Sequence, residues 1–379
     1  MKASKVRNPF VIGKYISKEY FCDREQETAL LYKHIQNGRN VFFTAPRRLG
    51  KTGLIHHFFA SEKVQEEYYT FFVDLYGTKS LAELTYLLGK SVFETLKPAG
   101  EKLSDKVIEF VKSLRMGITI DSMTGEPTLD IGLGSIQSAD ITLDDIFHYL
   151  ENAERPCIIA FDEFQQITNY DEKNVEAILR TKIQRCANTS FIYAGSKRHI
   201  IAQMFISPAK PFYASSIGMG LEPIDKEKYI MFAKEKFNDY GKDIEEEVIS
   251  YVYDKYEGQT WYVHTMLNEL FSLTNKGELC TKELIREAEE NVVDAQKESY
   301  QQLLSLIPTK QKMVLQAIAK EGIAKGVNSS AFIKQHRLAS ASSVQSAIKA
   351  LLERDIITRL DDGSYRVYDY FFRSWIAKY

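Results

Sequence analysis

Gly50, Lys51 and Thr52 follow one another in an order suited to polyphosphate chemistry. A glycine lets the backbone approach charged oxygens with no Cβ in the way. The lysine can reach the β- and γ-phosphates of a nucleotide, and the threonine hydroxyl can hold Mg2+. The surrounding run is Ala45-Pro46-Arg47-Arg48-Leu49-Gly50-Lys51-Thr52-Gly53. Its spacing is G-x-x-x-x-G-K-[ST], with Ala45 in place of the first glycine. Alanine is the smallest substitute, so the expectation is a slightly constrained loop that still functions. Backbone N–H groups along 45–53 would cradle phosphate oxygens. A second constellation is the carboxylate pair Asp162-Glu163. Asp162 is suited to binding Mg2+ through water, and Glu163 to polarising an attacking water as general base.

Such residues act together only if the chain brings them to one edge of a sheet. Residues 40–44, Asn-Val-Phe-Phe-Thr, read as a buried strand, and 53–59 read as a helix. Strand, tight loop and helix is the setting of a phosphate-binding loop rather than of a chance Gly-Lys-Thr. Cys157 to Phe161 is an unbroken apolar run, as in the central strand of a parallel sheet. It delivers Asp162 and Glu163 at its C-terminal end, where open α/β sheets bind ligands. Residues 68–74 and 190–196 read as further strands, the latter ending in Ser196. A polar side chain there either senses the γ-phosphate or caps the next helix. Arg198 just beyond either contacts phosphate or is solvated.

The expected fold class is therefore α/β: a P-loop NTPase with a parallel sheet domain over residues 23–224, for which the family resemblance described below implies an AAA+-like form. Helical spacing recurs in Leu81–Leu96 and Ile141–Leu150, and 117–134 alternates around Met123-Thr124-Gly125, which predicts a β-hairpin insertion. Residues 1–22 form an N-terminal arm that packs either near an adenine or simply against the domain. Asp23 reads as the N-cap of a helix with Leu30, Leu31, Tyr32 and Ile35 on its apolar side. Residues 225–300 are helical and acid-rich, a lid domain whose acidic runs are solvated faces. Trp261, Tyr262 and His264 follow Gly258, at a turn that either approaches the nucleotide or packs into the lid's own core.

Residues 301–379 read as a winged helix. Helices over 309–320, with Met313, Val314, Ala317 and Ile318 inward, 329–335 and 341–354 precede a hairpin over 356–368. This segment holds twelve Lys and Arg against six Asp and Glu, on a chain of net charge -2. The local surplus fits DNA phosphates, with Lys349, Arg359 and Arg366 on helix and wing. The exposed face of the third helix is mostly small and polar, which leaves docking to a protein partner open.

Hydrophobic content of 44% and charged content of 26% are ordinary for a globular chain. The near-neutral total argues against a nucleic-acid coat. No apolar run nears the roughly 20 residues that span a bilayer, so no membrane partner is expected. Cys22, Cys157, Cys186 and Cys280 are scattered and read as reduced, mostly buried thiols of a cytoplasmic protein.

The motif order resembles the archaeal-type ATPases of the STAND/AAA+ group of P-loop proteins, over nearly the whole chain. Residues 21–25, Phe-Cys-Asp-Arg-Glu, match its Phe-x-Gly-Arg-Glu start, with Asp23 for the glycine. Residues 46–52 match its Pro-Arg-Arg-x-Gly-Lys-Thr loop, 161–165 its Walker B strand and 194–196 its sensor strand. Gly258-Gln259-Thr260 stands where relatives carry Gly-x-Pro. The resemblance implies ATP and Mg2+ as cofactors. Lys51, Glu163 and Ser196 would be catalytic, with Thr52 and Asp162 on the metal. It also implies a slow ATPase acting as a nucleotide-driven switch, alone or as a homo-oligomer whose neighbour supplies an arginine. The alternative is an ATP-gated DNA- or protein-binding scaffold with negligible turnover. A small-molecule kinase is disfavoured because no acceptor-substrate domain is evident.

Overall fold

The computed structural model describes residues 6–96, 117–120, 127–130 and 139–378. The chain gathers into two compact units, Gly13–Asp225 and Met1–Ile12 with Lys226–Tyr379. In the first, the strands in chain order are β1 (Val41–Thr44), β2 (Tyr69–Asp74), β3 (Gly117–Ile120), β4 (Pro127–Asp130), β5 (Cys157–Asp162), β6 (Thr189–Tyr193) and β7 (Ile217–Gly220). Five form a parallel sheet in the order β2-β5-β6-β1-β7. Every residue of β5 is buried, as its apolar run requires. Its side chains alternate between two cores. Ile158 and Ala160 join Val41, Phe43, Leu54 and Phe58 on one face, while Ile159 and Phe161 join Phe71, Leu84, Leu88, Phe191 and Tyr193 on the other. The α/β expectation therefore holds, with an order in which β1 and β5 are separated only by β6.

The helices of this unit are α1 (Glu25–Gln36), α2 (Lys51–Phe59), α3 (Glu62–Glu67), α4 (Leu81–Leu96), α5 (Ala139–Glu151), α6 (Val175–Arg185) and α7 (Arg198–Ile206). The expected hairpin is present as the antiparallel pair β3–β4; its expected tip at 123–125 and its end at 131–134 lie outside the described residues. Two expectations fail at α1. Asp23 is not its N-cap, because Asp23 and Arg24 both take left-handed backbone, φ +57 and +75, before the helix opens at Glu25. Leu30 points to solvent, while Leu31 and Ile35 are buried. β7 falls in a stretch to which the sequence reading assigns no element. Its two glycines, at 218 and 220, dilute the strand pattern, and it is an edge strand with a single buried residue, Met219.

The second unit begins with α8 (Lys226–Asn238), β8 (Asp243–Ile244), α9 (Glu246–Lys255), α10 (Thr260–Leu273), β9 (Leu279–Cys280), α11 (Glu283–Ala295) and α12 (Lys297–Ser305). α13 (Thr309–Glu321), α14 (Ser330–Gln335), α15 (Ala341–Glu353), the antiparallel wing β10 (Ile357–Arg359) and β11 (Tyr365–Val367), and α16 (Tyr370–Ile376) follow. Val314, Ala317 and Ile318 face inward as expected, and Val344, Ile348 and Leu351 of α15 are buried too, whereas Met313 is exposed. α16 was not legible as a helix. Asp369 caps it, its carboxylate accepting from the N–H groups of Phe371 and Phe372 at 2.9 Å.

Within this unit the C-terminal domain is fastened to the preceding helices. Tyr262 and Tyr256 meet Tyr370 and Phe371 with ring centroids 4.8–5.8 Å apart. Both amino nitrogens' worth of contact that Arg366 offers Glu257 come from one atom, Nη1, at 2.6 and 2.7 Å from the two carboxylate oxygens. The wing arginine is thus turned toward α9's exit and away from a free surface, while Lys349 and Arg359 remain exposed. The arm also has a definite place. Phe10 is fully buried among Phe232, Phe237, His264 and Phe271. Asn8 Nδ2 donates to the Asn268 carbonyl and Asn268 Nδ2 to the Phe10 carbonyl, at 2.9 and 2.8 Å. Further on, Tyr15 and Phe21 pack on His57 of the first unit. All four cysteines are free and buried. Among the described residues no helix is long and apolar enough to cross a membrane.

His264, buried beside Phe10 and Phe232 and hydrogen-bonded to Tyr229, is pushed down to about 4 by burial. The unfolded chain, with an ordinary histidine near 6.5, therefore takes up the proton first as pH falls. The stability contributed by neutral His264 is intact above about pH 6.5 and is lost as pH falls toward 4, by about 3 kcal/mol at most. His264→Gln keeps a partner for Tyr229 and cannot titrate. Urea midpoints measured from pH 7.5 to 4.5 should fall more steeply for the parent than for the variant; parallel curves would assign the acid sensitivity elsewhere.

Candidate functional site

The loop between β1 and α2 is shaped by left-handed backbone at Arg48 and at Gly50, φ +70 and +90. A Cβ at Gly50 would meet no atom within 4 Å, so the structure needs that glycine for its dihedral angle. Ala45 is fully buried in the core that includes Val41 and Leu54, and it is not among the residues with positive φ. Its methyl group is packed, which accounts for an alanine where the motif has glycine. Leu49 is also buried, Pro46 is exposed, and Arg47 and Arg48 are half-buried. Gly53 lies under the arm; a Cβ there would stand 3.3 Å from Phe21 Cε2.

Lys51 is 7% exposed, and its ammonium donates to the carbonyls of Ala45 and Pro46 at 2.9 and 2.7 Å. Burial pushes it down to about 8, with Arg47 adding to that effect and Asp162 and Glu163 opposing it. Next to it, Thr52 Oγ1 donates to Asp162 Oδ2 at 2.5 Å. This contact joins the start of α2 to the end of the central strand. Asp162 Oδ1 accepts from the Glu163 N–H at 3.0 Å. Burial still raises the Asp162 carboxyl above its usual range despite both donors.

Glu163 is left-handed, φ +52. Its Oε2 accepts from Ser196 N–H at 3.2 Å, from Ser196 Oγ at 2.6 Å and from Gln165 Nε2. Ser196 is therefore not a helix cap: α7 opens behind Lys197 with no side-chain cap, and the serine hydroxyl turns to the carboxylate. Gly195 is required by space. A Cβ there would lie 2.0 Å from Gln165 Oε1 and 2.7 Å from Ile201 Cγ1. Arg198 is exposed.

Lys51, Thr52, Asp162, Glu163 and Ser196 thus come together, the last four in one hydrogen-bonded chain. Two participants escape a reading of the sequence. Gln165 is a buried amide whose only signal is its position two residues after Glu163. Arg24 is buried, with Nη2 donating to the Leu49 carbonyl at 3.3 Å, and looks in the sequence like a first-turn charge. The donor set fits a polyphosphate with a hard divalent cation. It offers an ammonium already coordinated by oxygens, a left-handed glycine at a helix start, and a hydroxyl against a carboxylate. Among the described residues no three His, Cys, Asp or Glu side chains are grouped to hold a metal on their own. Mg2+ in such sites takes much of its shell from phosphate and water.

Residues 21–266 match the family described as an ATPase domain predominantly from Archaea, and residues 298–378 match a probable winged helix domain. No curated protein matches the chain in sequence. Among solved structures, the Walker-type ATPase paby2304 of Pyrococcus abyssi is similar at TM-score 0.66 and 17% identity, over 98% of this chain and 100% of that one. The Aeropyrum pernix ORC2 protein with ADPNP and ADP follows at 0.60 and 13%, over 99% and 96%. The Aeropyrum pernix ORC1 protein in complex with DNA follows at 0.51 and 11%, over 94% and 92%.

The Lys51 shift carries a pH dependence. An anion gains from Lys51 only in its charged form, and the protein's own surroundings set that charge to fail above about pH 8. Each molecule bound above that pH must draw a proton onto Lys51, so affinity for ADP·Mg should fall toward tenfold per pH unit there. Calorimetric titration at pH 7, 8 and 9 should show the fall for the parent. Lys51→Arg, which stays charged, should show a flatter profile around whatever affinity it retains. Equal profiles would remove Lys51 from the phosphate contact.

Proposed function

Because the chain belongs to this predominantly archaeal ATPase family, we propose that it is a Mg2+-dependent ATPase whose turnover drives a conformational switch. The observation that carries the reading is the meeting of Thr52 and Asp162 at 2.5 Å from opposite ends of the sequence motif pair, beside the buried Lys51. The residues of 45–53 are assigned to the nucleotide phosphates and Thr52 and Asp162 to the metal. Bound there, Mg2+ would offset charge on the phosphates. Lys51 exchanges its two carbonyl partners for phosphate oxygens and keeps its positive charge against them. Glu163 is the general base that takes the proton of the attacking water. Ser196 reads the γ-phosphate. Its hydroxyl is shared between that anion and Glu163, so the two compete for one donor.

In this reading the parts are a core over 23–224, a lid over 225–300 and a winged helix over 301–379. The γ-phosphate favours one arrangement of lid and core, and its loss releases it. The three donors on Glu163 Oε2 engage an oxygen that would take the proton, and so support slow basal turnover. They equally favour the second reading, a scaffold gated by ATP with negligible hydrolysis. Glu163→Gln separates the two, since it keeps the shape and loses the base. Phosphate release should drop by about 100-fold or more while ATP affinity stays within a few-fold. Unchanged release would place the base elsewhere, and no release from the parent would leave the scaffold.

The positive surplus of 301–379 supports DNA as the ligand of the winged helix, as does a neighbour of the same fold solved with DNA. Arg366 is set aside because Glu257 holds it. Lys334, Lys349 and Arg359 are exposed on α14, α15 and the wing. Changing these three to Ala should weaken duplex binding on all sequences alike and reduce the log–log salt slope by about three. Fluorescence anisotropy at two salt concentrations, with and without ATP, measures it. No binding in any condition would assign the surface to a protein partner or a second copy of the chain.

A further inference from the structure

Asp23 and Arg24 are consecutive non-glycine residues in left-handed backbone. Backbone of this kind is strained, and it persists only where surrounding contacts over-determine it. The Arg24 side chain makes such contacts. It is 3% exposed, its Nη1 lies 2.5 Å from Glu27 Oε1, and its Nη2 donates to the Leu49 carbonyl at 3.3 Å. The guanidinium fork therefore spans α1 and the loop that ends in Gly50. Glu27 on one prong fixes the direction of the other. Leu49 is itself buried by its side chain, so its carbonyl is the part of the residue left to orient.

The Leu49 carbonyl belongs to the peptide group that also carries the Gly50 N–H. That group is trans, as no cis bond occurs among the described residues. In a planar trans peptide the C=O and N–H point in opposite directions. A donor that captures the carbonyl on one side thereby turns the N–H to the other. Gly50 stands at φ +90 directly ahead of Lys51 and the first turn of α2, so its N–H is one of those that open a helix.

We propose that Arg24 is a positioning residue for the ATPase reaction: by holding the Leu49 carbonyl from behind, it aims the Gly50 N–H at the phosphates. It touches no reacting atom and acts through one peptide plane. The inference rests on the reading of residues 45–53 as the phosphate-binding loop. The strained backbone at 23–24 is then the local cost of sending a guanidinium under that loop.

An N–H aimed at phosphates contacts them before and during reaction, so losing its orientation weakens ground state and transition state together. Such a loss raises KM and spares kcat. Arg24→Met keeps the length and bulk of the side chain without the fork. Arg24→Lys keeps the cation with a single ammonium head. Glu27→Gln keeps Arg24 and its reach to Leu49. KM and kcat for ATP·Mg, the affinity for ADP·Mg and the melting temperature are measured on the full chain, with Lys51→Ala as reference.

The expected result is a KM raised about tenfold in Arg24→Met and several-fold in Arg24→Lys, with kcat within about twofold. Affinity for ADP·Mg should fall in parallel, and Glu27→Gln should shift KM less than either while lowering the melting temperature. Should Arg24→Met fail to fold, Arg24→Lys carries the test. Folded Arg24 variants that keep the parent KM and ADP affinity, while Lys51→Ala loses nucleotide, would overturn the role of Arg24 and leave the loop reading intact. Lys51→Ala with unchanged affinity would overturn the loop reading and the inference with it.

Discussion

An ammonium taken out of water must find oxygens, and the site is built around that requirement. Lys51 is nearly enclosed, and the oxygens it finds are the carbonyls of Ala45 and Pro46. A carbonyl serves that role only if the loop curls back over its own lysine. The left-handed backbone at Arg48 and Gly50 makes the curl, the buried methyl of Ala45 anchors its start, and the helix beginning at Lys51 anchors its end. The carboxylates of Asp162 and Glu163 raise the affinity of this place for a proton, and burial lowers it more. The balance leaves a cation that an incoming polyanion can recruit without first breaking a salt bridge.

The second constraint is directional. Residues 162 and 163 adjoin at a strand end, and continued extended backbone would send them to opposite faces. Left-handed backbone at Glu163 breaks the alternation. Asp162 then reaches Thr52 and Glu163 reaches Ser196, both beyond strands that lie on the same side of β5. The parallel sheet supplies the rest: β1 and β5 flank β6, so loop, carboxylates and serine all emerge from neighbouring strands at the same edge. Gly195 closes the arrangement, because Gln165 occupies the space a side chain there would need.

Features written in runs of one residue type were legible in the sequence. The apolar stretch 157–161 announces a central strand, the spacing of Val344, Ile348 and Leu351 a helix with one inner face, and Gly50-Lys51-Thr52 a tight loop opening a helix. Features that depend on distant partners were not. Arg366 counts as one more positive charge until Glu257, 109 residues away in sequence, is seen to hold it. Gln165 is an ordinary amide until its contact with Glu163 appears. Asp23 resembles a helix cap because caps and left-handed residues favour the same short polar side chains. α16 was hidden by its aromatic run, Tyr370-Phe371-Phe372, whose burial on both sides erases the usual amphipathic stripe.

The chain passes between its two units twice, at residues 12–13 and again at 225–226. The first crossing is not a loose tail. Phe10 is sunk among four aromatic partners, and Asn8 and Asn268 exchange hydrogen bonds with backbone on either side of it. A single proteolytic nick after Asp225 would therefore yield two pieces that remain dovetailed, the amino-terminal fragment carrying the tenon and the carboxy-terminal fragment the mortise. An insertion at the 225–226 junction would lengthen one strap while the other kept both units on a short leash.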